Sequence, residues 1–192
     1  MAPAMNWILL RGLTRERAHW GELDRRLALG FPQHRFHCID LPGTGTRFRD
    51  TSPGTITGIR ERVQQYAAHI PGPVGLLGLS MGGMVALDWA QAEPERVAGL
   101  LLINTSSGFS PPWHRMQPAA FGRALAVALR PDMEGRERRI LQLTSNRPVS
   151  PALENRWFLI QRQRPVTRRT ALAQWKAAAT YRPRPETPPA QR

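Results

Sequence analysis

The residue types and spacing that carry chemistry in this chain lie at Gly78-Leu79-Ser80-Met81-Gly82, a G-x-S-x-G pattern. A serine with a glycine two residues to either side suits a sharp strand-to-helix turn that lifts a hydroxyl above a sheet as a nucleophile. Gly78 and Gly82 serve that turn because helix and strand approach too closely for a Cβ. A helix starting after Ser80 aims its N-terminal amides and positive dipole end at the reaction centre. That makes the Met81 amide an oxyanion donor. The pattern alone arises by chance in roughly one chain in fifteen of this length, so its weight depends on what flanks it.

The flanks have the right character. Residues 74–79, Val-Gly-Leu-Leu-Gly-Leu, are a short apolar run of the kind a buried parallel strand uses. Residues 81–90 continue in a helical pattern, with Met81, Val85, Trp89 and Ala90 to one side. Three further strands are expected at 7–10, 34–40 and 97–104. Helices are expected between them over 14–29, with Thr14 as a plausible N-cap, and along the stripe Ile59, Val63, Ala67 and Ile70. Strand alternating with helix predicts an α/β fold, a parallel sheet with helices on both faces.

Near Gly108 the character changes. Residues 109–181 show no strand pattern and fit four helices, at 118–130, 132–145, 151–163 and 167–181, separated by Pro111, Pro112, Pro131, Pro148, Pro151 and Pro165. Residues 182–192, rich in Pro and Arg, read as an extended linker. The expected organisation is therefore a core over 1–108, a helical region over 109–181 and a linker over 182–192.

Composition narrows the function classes. The 192 residues carry a net charge of +13, which raises nucleic-acid binding as a class. Against it, every basic residue except Lys176 is arginine, and 109–192 hold 16 basic against 5 acidic residues, with no recognisable nucleic-acid motif. A solvated basic face is the better reading. No apolar run reaches the ~18 residues of a membrane span, and Met1 to Asn6 carries no signal-peptide pattern. Cys38, the single cysteine, sits in a strand-like run as a buried small hydrophobe, compatible with a reducing cytoplasm. No His, Cys, Asp or Glu cluster has metal-ligand spacing, and no cofactor or metal is implied.

Taken in order, these segments resemble the α/β-hydrolase superfamily, in particular its small bacterial esterases, and the resemblance covers nearly the whole chain. Trp7-Ile8-Leu9-Leu10-Arg11-Gly12-Leu13 is similar to the family's first strand and its His-Gly turn. Asp40-Leu41-Pro42-Gly43-Thr44-Gly45 resembles its Asp-x-Pro-Gly-x-Gly turn, residues 78–83 its elbow, and Glu93-Pro94-Glu95-Arg96-Val97 its helix-to-strand link. The resemblance implies a three-layer hydrolase core with a helical cap at 109–181. It implies Ser80 as the acylated nucleophile, the amides of Leu13 and Met81 as the oxyanion hole, and a small-molecule ester or acyl substrate. Arg11 stands where many relatives have His, and a cation there would favour anionic substrates.

The family's order is nucleophile, then acid, then histidine. After Ser80 the only histidine is His114, read as a cap or surface residue, and the strand at 97–104 is followed by Asn104-Thr105-Ser106-Ser107, with no acid. The expectation is that the catalytic Asp and His belong to a C-terminal part beyond residue 192 and that this chain alone has little activity. The strand at 97–104 is then an outer apolar edge that limits solubility. A non-catalytic α/β-hydrolase-like scaffold or binding protein is the competing expectation.

Overall fold

The computed structural model describes residues 4–107, Val127 and residues 132–185. Strands β1 (Asn6–Leu10), β2 (Arg35–Ile39), β3 (Val74–Leu79) and β4 (Val97–Ile103) form one parallel sheet in the order β2-β1-β3-β4. In register, Leu10 lies beside Ile39 and Gly78, and Gly78 beside Leu102. The turns after all four strands therefore leave from the same edge of the sheet, where open parallel sheets place their sites.

Strand alternation sorts the apolar residues into two layers. Ile8, Leu10, Val74 and Leu76 pack against α2 (Ile56–Tyr66) and α3 (Met81–Ala92). Leu9 and Leu77 pack with Trp20, Leu23 and Leu27 on the opposite face, where α1 (Leu23–Gly30) lies. Ile8, Leu10 and Leu76 are wholly buried, each worth about 2 kcal/mol of apolar transfer. α3 is buried almost all round over Met81–Ala86, which fits its run of small and apolar residues between sheet and α2. β4 is an outer strand, and Leu101 and Leu102 on it are 47% and 39% exposed.

One helix expected over 14–29 is two elements. A single 3-10 turn spans Arg17–Trp20, Gly21 takes a φ of 67°, and α1 begins only at Leu23. Thr14 is not an N-cap. It lies in the turn after β1 with a φ of 57°, and the capping position belongs to Glu16, whose side chain accepts from the His19 amide while the His19 ring accepts from the Glu16 amide. The chain must reverse tightly after β1 before any helix can start.

Asp40 is structural. It is 4% exposed, and its two oxygens accept from the Arg17 amide at 2.6 Å, the Thr46 amide at 2.8 Å and the Thr46 hydroxyl at 2.9 Å. A carboxylate with three donors pins the 40–47 turn to the start of the 17–20 turn.

The described residues fall into two compact units. The smaller, within 110–165, contains α4 (Met133–Thr144) and α5 (Pro151–Gln163), capped by Asp132 and Ser150 and joined by an Arg138–Glu154 ion pair at 3.0 Å. Of the helix expected at 118–130 only Val127, buried and helical, is among the described residues. The larger unit includes 166–185 as well as the sheet, so α6 (Arg168–Thr180) groups with the core rather than with the region expected to run to 181. The reason is packing: Ala177 and Tyr181 join the α2/α3 core. Residues 182–185 are likewise tied down, since Arg184 exchanges two hydrogen bonds with Gln91. Among the described residues no helix is long and apolar enough to cross a membrane, and no group of metal-binding side chains assembles.

Cys38 packs on the Trp20 side of the sheet, and burial, with Asp24 nearby, pushes its thiol up to about 12. Because the thiolate is the nucleophile, alkylation by iodoacetamide at pH 8 is expected to be at least about a hundredfold slower in the folded protein than in urea. Mass spectrometry of timed aliquots checks this, and equal rates would contradict the packing.

Candidate active site

Ser80 sits where β3 turns into α3, with φ 56° and ψ −119°, a conformation that costs a Cβ-bearing residue about 1–3 kcal/mol. A serine at an N-cap ordinarily turns its hydroxyl back to bond the first-turn amides. Here it makes no such bond, because the positive φ swings the side chain off the helix end. Its main chain is held firmly: the Ser80 amide donates to Ile103 O at 2.8 Å, and Ser80 O accepts from the Gly83 amide at 2.9 Å. The residue is half-buried, and Oγ forms no hydrogen bond with a described residue.

The expected glycines are where a Cβ cannot go. A Cβ on Gly78 would lie 2.5 Å from Gly82 O and from Gly83 Cα, and one on Gly82 would collide with Leu10 O and lie 2.6 Å from Arg11 O. The start of α3 thus rests on the ends of β3 and β1, main chain against main chain. Gly12 completes the enclosure, since a Cβ there would be 3.1 Å from Ser80 Cβ and 3.6 Å from its Oγ. The turn carrying Leu13 therefore borders the serine directly. Neither the Leu13 nor the Met81 amide donates to an acceptor among the described residues.

Thr105 carries a role that the sequence pattern does not announce. Its hydroxyl donates to Ser80 O and Ile103 O, at 3.3 Å each, and lies against Gly83. It buttresses the elbow from the end of β4. The only available signal was its place just after the strand beside the elbow strand.

Arg11 lies over the Trp20 ring at 4.7 Å. Its Nε is buried with no partner among the described residues. Burial, with Arg15 adding repulsion, pulls the guanidinium down to about 10, so it stays cationic at neutral pH. Three of the four described histidines serve elsewhere: His34 accepts from the Met5 amide, His37 bonds Asn6, and His19 belongs to the capping pair. His114 falls outside the described residues.

The strain at Ser80 gives a sign test. At an ordinary position Gly is less stable than Ala by about 0.5–1 kcal/mol. At position 80 the order is expected to invert, with Ser80→Gly more stable than Ser80→Ala by about 1 kcal/mol in urea titrations. Ala equal to or better than Gly would show a relaxed backbone.

Comparison with known proteins bears on the fold and the family. The pimeloyl-[acyl-carrier protein] methyl ester esterase of Sodalis glossinidius (strain morsitans) is 32% identical over 153 residues, covering 79% of this chain and 56% of that protein. That of Yersinia pseudotuberculosis serotype O:1b (strain IP 31758) is 38% identical over 103 residues, covering 54% of this chain and 37% of the relative. The chain therefore spans about half, or less, of the length of these curated relatives. Among solved structures, an esterase from Exiguobacterium antarcticum superposes with a TM-score of 0.73 at 14% identity, over 95% of this chain and 68% of the esterase. The likeness shows a shared fold. A model of the Alpha/beta hydrolase family matches residues 7–190, and with the parallel sheet and the strand-to-helix turn at Ser80 already in place, this chain belongs to that family.

Proposed function

We propose that this chain carries the nucleophile half of a serine hydrolase acting on carboxylic ester or thioester bonds. The observation that carries this reading is Ser80 itself. Its strained backbone withdraws the hydroxyl from capping duty, and two amides, Leu13 and Met81, are left without described acceptors on the elements that border it. In the proposed reaction Ser80 Oγ attacks the carbonyl carbon and its proton passes to a general base. The developing oxyanion accepts from the Leu13 and Met81 amides, at the positive end of α3. Collapse expels the alcohol or thiol, protonated by the same base, and leaves an acyl-serine for water to hydrolyse.

The base and its acid partner are proposed to lie outside the described residues, in the C-terminal part the family order calls for. The helical unit within 110–165, inserted between β4 and α6 in sequence, is read as the counterpart of the family's cap. The activity for which these relatives are named supports a methyl ester of a carrier-bound acyl chain as the first substrate class to test. A cytoplasmic setting belongs to the same proposal, supported by the single unpaired cysteine. A non-catalytic scaffold competes because no base stands beside Ser80 among the described residues.

A fluorophosphonate separates the two. In the full-length protein, labelling is expected at Ser80 and lost in Ser80→Ala; an unlabelled Ser80 in folded protein would establish the scaffold. A cation at position 11 is also proposed to favour anionic substrates. Arg11→His is expected to lower kcat/KM for a carboxylate-bearing ester roughly tenfold relative to its neutral analogue. An unchanged ratio would remove Arg11 from substrate choice.

A further inference from the structure

Gln174 is the one fully buried carboxamide in the larger unit among the described residues, 0% exposed. Its buried neighbours along α6 are Thr170, Ala177 and Tyr181, spaced four, three and four residues apart. Gln174 Oε1 accepts from the Thr14 amide at 2.8 Å, and Nε2 donates to Pro42 O at 3.2 Å. One side chain 132 and 160 residues away in sequence thus spans the turns that follow β2 and β1. One helical turn earlier, Thr170 sits against Gly43, whose φ is 83° and whose Cβ would lie 2.5 Å from the threonine methyl.

The bond to Thr14 decides a backbone choice. The Arg15 amide donates to Gly12 O at 3.1 Å, closing a four-residue turn with Leu13 and Thr14 at its centre. Leu13 keeps a negative φ while Thr14 takes 57°, the type II pattern. Type II suits Gly or Asn at the third position, and threonine, β-branched, is a poor occupant. Rotating the Leu13–Thr14 peptide gives type I, which threonine accepts readily, but it turns the Thr14 N–H away from Gln174 and leaves a buried carbonyl unpaired. Gln174 therefore holds the turn in the form its own sequence disfavours.

We propose that Gln174 is a positioning residue for the Leu13 oxyanion donor, holding the turn that carries it beside Ser80 by accepting from the Thr14 amide. The inference rests on the hydrolase reading above and assigns α6 a part in it. Oxyanion donors act only within a few tenths of an ångström of their mark, and a misplacement of ~1 Å costs about a hundredfold.

The test uses full-length protein with Gln174→Met, similar in length but without either bond, and Gln174→Glu, which keeps an acceptor for Thr14. In Gln174→Met, exchange of the Thr14 amide is expected to rise at least about tenfold. Phosphonylation of Ser80, and kcat on a short ester, are expected to fall about 10- to 100-fold with KM changed less than about threefold. Gln174→Glu is expected to restore most of the rate. A folded Gln174→Met that labels Ser80 at the unsubstituted rate overturns the proposal. Should Gln174→Met not fold, a Gln174→Glu that protects the Thr14 amide and still loses the rate overturns it. Absence of labelling in the unsubstituted protein instead overturns the hydrolase reading, which is a distinguishable failure.

Discussion

The carbonyl oxygens of Leu10 and Arg11 at the end of β1 occupy the space a Cβ on Gly82 would need, and the backbone of Gly82 and Gly83 fills the space over Gly78. This contact of three backbones, with no side chain between them, sets every other distance in the site. It forces Ser80 into a left-handed conformation, turns its hydroxyl off the helix end and leaves the first amides of α3 facing outward. It also explains why the register of the sheet matters. Leu10 pairs with Gly78, and Gly78 with Leu102, so a one-residue slip would set a side chain where the elbow needs a bare Cα.

Much of this was legible in the sequence because it rests on local rules. Short apolar runs marked the four strands, which the sheet joins in the order β2-β1-β3-β4. The starts of three helices, expected at 132, 151 and 167, were legible for the same reason. Asp132, Ser150 and Thr167 each accept a first-turn amide, and α4, α5 and α6 begin one residue after them. Thr14 misled because it has the residue type of a cap but stands in a turn whose conformation is imposed from 160 residues away.

What stayed illegible is long-range and polar. The buried face of α6 is Thr170, Gln174, Ala177 and Tyr181, while Leu172 and Trp175 on the same helix are 67% and 55% exposed. A reading by hydrophobic periodicity sets such a helix the wrong way round. The inversion has a physical cause: the surfaces α6 meets are turns that present an N–H at Thr14 and a carbonyl at Pro42, and the carboxamide of Gln174 supplies the acceptor for one and the donor for the other. Thr105 escaped notice for a similar reason. Its hydroxyl serves carbonyls at the ends of two different strands, which no spacing in sequence expresses.

The division of labour within the proposed reaction follows from these placements. Backbone amides and a helix dipole need no titrating partner, and in serine hydrolases the oxyanion hole and binding alone leave about 10³–10⁴ of acceleration over water. The general base supplies most of the rest, because a serine hydroxyl is a poor nucleophile at neutral pH. On the proposed reading the described residues supply the first kind of contribution: a strained serine, two amides without described acceptors, a threonine under the elbow and a glutamine behind the turn. All of these are fixed by main-chain geometry at the edge where the strands end. A base contributed by another stretch of chain needs only to reach Ser80 Oγ, since the hydroxyl is free of internal hydrogen bonds with the described residues. A site built this way separates electrostatic preorganisation, carried by α3 and the β1 turn, from proton transfer. The two can therefore be lost independently, and that independence is what makes labelling kinetics at Ser80 a measure of the first with the second held constant.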